Sequence, residues 1–364
     1  ICGRAGAKHE RLCVHRFIDV PYNDCPTRTP VQLVWPGEYL ETAIDAADKI
    51  GGSIILIHSH PGGLFDFSHI DDASDASAIP ALRHGSADEA IKHGSAIMVP
   101  GGAIKARLYN AQGSFEPVKR IYSIGNDIKA INEPVTTNPL PFSSQMTGAL
   151  GQLTACVVGA SGTGSIVIEN LCRRGIGKII LIDFDVMKHK NLNRILNSTI
   201  ADAEAERYKT AMLKEAIATY RTDIEIISIE APIESEEAII AASGGDVIFS
   251  CVDTMEARHY CELMLRAFVA PLIDVGVTIP TRQSASQDVR IADVCGRIDY
   301  VHPDGPSLTD RGVITPEGLY AEYLSRVDPD ALAQQQKEGY LKGFAEEAPS
   351  VLTLNMIGAA LAVE

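Results

Sequence analysis

The chain has 364 residues, of which 46% are hydrophobic and 22% charged, and this length and apolar content predict two domains with large cores. Its formal net charge of −15 argues against a surface that binds nucleic acid or an anionic membrane, so a bound nucleotide must be held by local groups. No apolar run reaches the length of a membrane span, and no signal peptide is visible.

The first predicted domain covers residues 1–125 and mixes short strands with helices. The chain opens with Ile1 rather than Met, so we expect residues upstream of it. The hydrophobic pattern predicts strands at 11–20 and 53–57, a helix at 36–50, and further short elements at 90–99 and 103–109. The run 53–57 is short and apolar throughout, which is typical of a buried strand.

A histidine-containing segment follows that strand directly. His58 and His60 alternate, so both side chains should point to the same side of the strand end. Ser68 and Asp71 are spaced for one face of a helical turn. Two imidazoles and one carboxylate form a three-ligand set for zinc with one open position, where bound water acquires a pKa of about 7. Ser68 can donate a hydrogen bond to the oxyanion that forms on an attacked carbonyl.

The alternative interpretation is a His-rich loop in which Ser68 and Asp71 only cap a helix. The whole pattern His-x-His-x7-Ser-x2-Asp, however, resembles that of the JAMM (JAB/MPN+) metalloproteases. The resemblance implies a JAB/MPN α+β domain in which His58, His60 and Asp71 hold zinc and Ser68 assists the oxyanion. It also implies removal of ubiquitin-like proteins from substrates, or trimming of their C-terminal tails.

The general base of that family is a glutamate that precedes a small-residue strand. A strand of that kind is formed here by Cys2-Gly3, which places the glutamate before Ile1. Glu10 and Glu38 are carboxylates within the chain, but neither occupies the position of the base. The N-terminal domain is therefore expected to bind zinc, and its turnover depends on a residue outside this sequence.

A polar, proline-rich stretch at 126–147 is the predicted linker, with Pro134, Pro139 and Pro141. The second predicted domain, residues 148–364, alternates strands with helices. Its strands are predicted at 154–158, 178–182, 223–230 and 246–251. This alternation is typical of a doubly wound, largely parallel α/β sheet of the Rossmann type.

A glycine-rich turn follows the first of these strands. Gly159, Gly162 and Gly164 leave the backbone free of side chains, so N–H groups and a helix N-terminus can approach phosphates. Asp183 ends the next strand, where a carboxylate can accept hydrogen bonds from ribose hydroxyls. Glycines alone are weak evidence, because such turns also permit close packing, but the strand, helix and acid together predict a nucleotide site.

Four further residues are of the types that bind a nucleoside triphosphate and its metal ion. Arg194 and Lys209 can neutralise phosphates, although each taken alone is more often a solvated surface charge. Asn191 precedes Arg194 by one turn, and Asp253 follows the strand 246–251, where a carboxylate can hold Mg²⁺.

This array resembles the ThiF-type family, the adenylating domains of ubiquitin-activating and sulfur-carrier-activating enzymes. The resemblance implies a homodimer that uses MgATP to adenylate the C-terminal glycine of a ubiquitin-like protein. It assigns Asp183, Asn191, Arg194 and Lys209 to the nucleotide, and Asp253 to magnesium and catalysis. Two features depart from the family: no clear match to its upstream arginine lies between Phe142 and Leu153, and segment 305–312 lacks the usual Cys-x-x-Cys.

We therefore predict a fusion of a zinc-dependent JAMM isopeptidase or processing domain with a ThiF-type activating domain, from a bacterial conjugation system. Its expected partners are a ubiquitin-like protein and a conjugating-enzyme-like protein. An NAD-dependent oxidoreductase on the same fold is one alternative, but it leaves Arg194, Lys209 and Asp253 unexplained. A catalytically silent scaffold that binds a ubiquitin-like protein is the other.

The eight cysteines indicate a reducing, cytoplasmic environment. Four of them lie in apolar strand or helix patterns: Cys156, Cys172, Cys251 and Cys261. Cys295 lies in the run 289–298, which alternates like a strand, and Ser307 stands where relatives keep a cysteine. We therefore expect acyl adenylate formation without a thioester on this chain.

Overall fold

The computed structural model divides into an N-terminal unit, Ile1–Asn138, and a C-terminal unit, Pro139–Glu364. It describes residues 1–7, 10–29, 32–132, 144–278, 281–283, 289–291, 295–338 and 351–364. The three prolines of the predicted linker lie outside the described residues. Within the described ranges, no helix combines the length and apolar character needed to cross a membrane.

The described residues of the N-terminal unit form two helices and several short strands. Its strands are β1 (Cys2–Ala5), β2 (Arg11–Val14), β3 (Thr27–Thr29), β4 (Gln32–Val34), β5 (Ile55–Ser59), β6 (His93–Met98), β7 (Ile104–Tyr109), β8 (Phe115–Pro117), β9 (Tyr122–Ile124) and β10 (Ile128–Ala130). Its helices are α1 (Glu38–Asp48) and α2 (His69–Gly85), with a 3-10 turn at Tyr22–Asp24. The main sheet has the order β5-β6-β7-β8, with β5 and β6 parallel and the other pairs antiparallel.

Two predictions for this unit need correction. The strand predicted at 11–20 ends at Val14, because β2 pairs with β1 only that far, and residues 15–17 are exposed. The strand predicted at 53–57 forms two residues later, at Ile55–Ser59, and is half-exposed rather than buried. This shift brings His58 into the strand and leaves His60 just beyond its end.

The small core of the N-terminal unit lies between its two helices. Acidic residues in the first turn of α1 suit the positive end of a helix. One face of this helix buries Ala43 and Ala47 against Ile79 and Leu82 of α2. The same cluster includes Ile54, directly before β5. Packing of α2 on this core therefore sets the distance between its first turn and the end of β5.

The C-terminal unit carries the remaining elements. Its strands are β11 (Thr154–Val158), β12 (Lys178–Ile182), β13 (Glu225–Ile229), β14 (Val247–Ser250), β15 (Leu272–Thr278), β16 (Thr281–Gln283), β17 (Val289–Ile291) and β18 (Cys295–Val301). Its helices are α3 (Ser144–Leu150), α4 (Gly162–Arg174), α5 (Ile200–Glu204), α6 (Lys209–Ala218), α7 (Glu236–Ala242), α8 (Met255–Phe268), α9 (Pro316–Val327), α10 (Pro329–Glu338) and α11 (Leu352–Val363), with a 3-10 turn at His189–Asn191.

Six of these strands form one sheet, in the order β13-β12-β11-β14-β15-β18. The first five are parallel and β18 is antiparallel to β15. Successive residues of β11 serve opposite cores: Ala155 and Val157 pack with α4 and α6, and Cys156 and Val158 pack with α7 and α8. Helices therefore cover both faces, and the strand order reverses between β11 and β14, where ligands of such sheets bind.

Candidate functional sites

A cluster of three potential metal ligands lies in the N-terminal unit. His58 is on β5, His60 follows it, and Asp71 is in the first turn of α2. Nε2 of His58 lies 3.1 Å from Nε2 of His60 and 2.9 Å from Oδ1 of Asp71, and His60 Nε2 lies 3.4 Å from Asp71 Oδ2. Neighbouring ligand atoms around tetrahedral zinc are about 3.3 Å apart at ordinary bond lengths. The cluster has the size of such a site.

Capping of α2 orients the carboxylate of this cluster. Ser68 is the N-cap, and its backbone N–H donates to Asp71 Oδ2 at 2.6 Å. The N–H of Asp71 in turn donates to the Ser68 hydroxyl oxygen at 3.3 Å. The capping arrangement named above as the alternative is therefore present, and it directs Asp71 toward the histidines rather than competing with that role.

The tautomer of His60 also suits metal binding. Its Nδ1 lies 2.8 Å from the carbonyl oxygen of Leu64, which can only accept a hydrogen bond, so Nδ1 carries the proton. Nε2 is then a lone-pair donor directed toward His58 and Asp71. A second hydrogen bond of this type is a common support for a metal-binding histidine.

The pKa shifts of His58 and Asp71 favour the protonation states that metal binding requires. Burial lowers the pKa of His58, and it does so despite the nearby carboxylate of Asp71. For Asp71, burial alone would raise the pKa, but hydrogen bonds from Ser68, together with smaller electrostatic contributions from the two histidines, lower it overall. A neutral imidazole beside an ionised carboxylate can bind a cation without first losing a proton.

A buried arginine that the sequence analysis missed holds α2 in place. Arg107 of β7 donates to Asp72 at 2.6 Å and to Asp75 at 2.7 Å, both on the helix that carries Asp71. The hydroxyl of Tyr109 also donates to Asp75, at 2.8 Å. The sequence pattern predicts a short element that includes Arg107. Only the order of strands in the folded sheet, however, brings the Arg107 side chain against α2.

In the C-terminal unit, the glycine-rich turn lies at the reversal of strand order. Gly159 has φ +90° and sits where a Cβ would be 2.7 Å from the carbonyl oxygen of Cys251. A Cβ at Gly164 would lie 1.8 Å from the carbonyl oxygen of Gly159. Both glycines are thus required by packing, and the tight turn they permit starts α4 at Gly162, where free N–H groups face outward from the helix end.

Asp183 and Lys209 meet beside this turn. Asp183 Oδ2 accepts from the N–H of Ala160 at 2.6 Å. Lys209 Nζ lies 2.6 Å from Asp185 and 4.0 Å from Asp183, and the residue is only 3% exposed. Burial raises the pKa of Asp183, and the Lys209 ammonium opposes that rise. The interpretation of Lys209 as a solvated surface charge is wrong.

The other predicted residues lie at the edge of the turn. Asn191 is buried, and its Oδ1 accepts from the N–H of Lys188 at 3.0 Å, so it caps the 3-10 turn. The stem of Arg194 lies against Gly162, where a Cβ would be 3.2 Å from its Cδ. Asp253 is exposed, three residues beyond β14.

A residue from the far end of the chain completes the turn. Asn355 of α11 is 2% exposed, and its Oδ1 accepts from the hydroxyl of Thr163 at 3.2 Å. A Cβ at Gly162 would lie 2.4 Å from Asn355 Nδ2. The contact joins residues 192 positions apart, so no local sequence pattern could have predicted it.

Comparison with known proteins identifies the segment that holds this second site. Residues 139–287 match the ThiF family. The predicted likeness to ThiF is therefore confirmed over residues 139–287, and the JAMM interpretation of the N-terminal unit stays a prediction.

The relatives of the ThiF domain include activating enzymes. The chain is 31% identical over 116 residues to ubiquitin-like modifier-activating enzyme 5 of Culex quinquefasciatus, which covers 29% of each protein. It is 24% identical over 176 residues to adenylyltransferase and sulfurtransferase MOCS3 of Danio rerio, covering 47% of this chain and 37% of that one. The chain thus spans well under half the length of these relatives.

Similar solved structures include E. coli MccB crystallised with ATP. That structure is 17% identical to this chain, with a TM-score of 0.43, and the match covers 60% of this chain and 55% of MccB. Another is MccB in complex with N-formylated MccA, at 17% identity and a TM-score of 0.45, covering 60% of this chain and 57% of that one.

Proposed function

We propose that the ThiF domain uses MgATP to adenylate the C-terminal glycine of a ubiquitin-like protein. The observation that supports this most is the meeting of the glycine turn, the Asp183–Lys209 pair and the Asp253 loop at the reversal of strand order, within a segment that matches the ThiF family. An NAD-dependent oxidoreductase would have no use for the buried cation or the exposed carboxylate there.

Each of these groups then has a role in a single nucleophilic displacement at the α-phosphorus of ATP. The turn and the N-terminus of α4 take the phosphates, and Asp183 accepts from the ribose. Arg194 and Lys209 neutralise phosphate charge, and Asp253 would hold Mg²⁺, which supplies further neutralisation when bound. The terminal carboxylate of the partner attacks the α-phosphorus, the bond to the bridging oxygen breaks, and pyrophosphate leaves with that electron pair.

Nucleotide binding and pyrophosphate exchange test this proposal. Substituting Asp253→Ala should abolish exchange in the presence of a ubiquitin-like protein that ends in glycine, and should leave metal-free ATP binding intact. Lys209→Ala should weaken both by about tenfold or more, because a charge-assisted contact is lost. Lys214→Ala on the exposed side of α6 is the control. Tight binding of NADH with no binding of ATP would establish the oxidoreductase alternative instead.

For the N-terminal unit we propose a zinc-dependent JAMM isopeptidase or processing activity. Residues His58, His60 and Asp71 fit a zinc ion by spacing, tautomer and charge, and zinc would supply a hydroxide nucleophile at neutral pH. Ser68, held beside Asp71, would stabilise the oxyanion.

A second candidate for this unit is a zinc-binding scaffold that recognises a ubiquitin-like protein without cleaving it. Among the residues that the structure describes, neither Glu10 nor Glu38 joins the three-residue cluster, so neither is placed as a general base. Cleavage of a linear ubiquitin-like fusion by the full chain, and its loss on chelation, distinguishes the protease from the scaffold.

We further propose a homodimer that passes its activated partner to a conjugating-enzyme-like protein in a bacterial cytoplasm. One domain would expose or release a C-terminal glycine, and the other would activate the same carboxylate. Size-exclusion chromatography with light scattering tests the dimer, and transfer of the activated partner to a conjugating-enzyme-like protein tests the sequence of steps.

A further inference from the structure

The loop 251–254 connects β14 to α8 and carries Asp253. Its first residue is held on the glycine turn: the N–H of Cys251 donates to the carbonyl of Val158 at 2.8 Å. The Cys251 carbonyl also lies against Gly159, at the point where any Cβ would be only 2.7 Å away. The N-terminal end of the loop is therefore fixed directly against the glycine turn.

The other side of the loop is held by Arg258, in the first turns of α8. Its Nη2 donates to the carbonyl of Val252 at 2.5 Å, and its Nη1 donates to the carbonyl of Thr254 at 3.4 Å. These two residues directly precede and follow Asp253. A single guanidinium thus binds the backbone on both sides of an exposed carboxylate.

Arg258 is in turn held by Asp274 of β15, which is 0% exposed. The Arg258 Nε lies 3.2 and 3.3 Å from its two oxygens. Asp274 also accepts from the hydroxyl of Ser250 at 2.6 Å and from Arg297 at 2.7 Å. A buried carboxylate with this many donors has little freedom to rotate, so it fixes the plane of the Arg258 guanidinium.

We propose that Arg258, oriented by Asp274, is a positioning residue that keeps loop 251–254 ordered so that Asp253 faces the nucleotide site. This inference rests on the proposed adenylation, in which Asp253 holds Mg²⁺. Arg258 acts through Asp253 and touches neither ATP nor the partner. A loop that is already ordered binds the ion without first losing conformational entropy, so the magnesium-dependent part of ATP affinity should depend on Arg258.

Amide hydrogen exchange of the ligand-free full chain tests the ordering directly. In Arg258→Gln, exchange at Cys251 and Ala257, whose N–H groups donate to the Val158 carbonyl and the Thr254 hydroxyl at the two ends of the loop, should rise by about tenfold, the loss expected when a charged hydrogen bond is removed. The control is Arg266→Gln, on the same helix, where a half-exposed guanidinium lies 3.9 Å from Glu262. Unchanged loop exchange in Arg258→Gln would overturn the inference, whatever the protein catalyses.

ATP affinity with and without Mg²⁺ tests the link to Asp253. Magnesium should tighten ATP binding in the wild type and in Arg266→Gln, and Arg258→Gln should lose most of that gain while metal-free affinity changes by less than about twofold. In an Asp253→Ala background, Arg258→Gln should cause no further loss. Additive losses would place the action of Arg258 elsewhere and overturn the inference.

A conservative variant keeps the test informative if Arg258→Gln does not fold. In Arg258→Lys the ammonium can still pair with Asp274, but it cannot also bond the carbonyls of Val252 and Thr254. It should therefore fold and show the same loss of magnesium dependence, and wild-type behaviour would contradict the proposal. A wild type that fails to bind ATP would defeat the proposed function, while the exchange result would still decide the ordering of the loop.

Discussion

At the scale of single residues, His58, His60 and Asp71 allow a direct test of the metal. Purified protein should contain about one zinc per chain, because the three ligand atoms are already at the spacing of a tetrahedral site. The double substitution His58→Ala and His60→Ala should remove that zinc without unfolding the chain, as the site is small beside the two cores. Metal analysis by mass spectrometry measures both.

The control for this experiment is His84→Ala. His84 is also on α2, and its side chain is 89% exposed. Its loss should leave the zinc content unchanged. Equal zinc in the wild type and in the double variant would show that the metal is bound elsewhere, and the metal-site proposal would then be wrong.

His93 predicts a pH dependence that is independent of the metal. Its Nδ1 accepts from the N–H of Ile54 at 3.1 Å, its Nε2 lies 3.2 Å from the Ser86 hydroxyl, and burial lowers its pKa to about 4. The folded pKa lies below the unfolded value of about 6.5, so the unfolded state binds the proton more readily. This contribution to stability is therefore complete above about pH 6.5 and is lost as pH falls toward 4.

The loss should amount to roughly 3 kcal/mol for the N-terminal unit at the acid limit. Amide exchange of β5 and β6 in the full chain, followed from pH 7 to pH 4.5 and corrected for intrinsic rates, measures it. Substituting His93→Gln should flatten the profile, and His84→Gln should not. A flat profile in the wild type would contradict the assignment of a neutral, buried imidazole.

At the scale of elements, the turn between β11 and α4 is the most constrained. A Cβ at Gly164 would lie 1.8 Å from the backbone oxygen of Gly159, a contact that only backbone movement can relieve. Gly164→Ala should therefore destabilise the C-terminal unit by about 1–3 kcal/mol and weaken ATP binding. Thermal unfolding and nucleotide titration measure the two effects.

Gly148 is the matched control because it also lies in a helix, α3, but a Cβ there meets nothing within 4 Å. Gly148→Ala should be neutral or slightly stabilising, since alanine loses less entropy than glycine in a helix. If both substitutions had the same effect, the turn would not have the close packing seen between Gly159 and Gly164.

The parallel sheet was predictable because its strands are continuous apolar runs bounded by turns. The predicted strands 154–158 and 178–182 match β11 and β12 to the residue. The predicted strand 11–20 was wrong beyond Val14, because alternation persists in the sequence where no partner strand extends the pairing. Strand formation depends on a neighbour, which a single-segment pattern does not reveal.

The site residues were likewise predictable where local spacing determines their positions, and not where a distant element supplies them. Local spacing was enough to bring His58, His60 and Asp71 together, since a strand end and a capped helix start determine where they point. Asn355 and Arg107 could not be found in this way, because each reaches its site from an element distant in sequence. Long-range contacts of this kind follow only from the assembled topology.

At the scale of the whole molecule, the question is what becomes of the adenylate. A thioester would require an accessible cysteine near the nucleotide, with a thiol that ionises readily. Burial instead raises the pKa of Cys251, and raises that of Cys261 to about 12. Ser307 is buried and its hydroxyl donates to Asp310 at 2.7 Å, so it holds a turn together rather than serving as a nucleophile.

Cys295 is exposed, at the start of β18 and opposite Thr278 in the antiparallel pair. We nevertheless expect an acyl adenylate without a thioester, since β18 is the outermost strand of the sheet and is separated from β11 and its glycine turn by β14 and β15. The ubiquitin-like partner would then be transferred directly to a cysteine of another enzyme.

A non-reducing gel of the chain with MgATP and a ubiquitin-like protein should show no thiol-sensitive covalent band. Such a band would refute the expectation, and its loss in Cys295→Ala but not in Cys25→Ala would identify the acceptor.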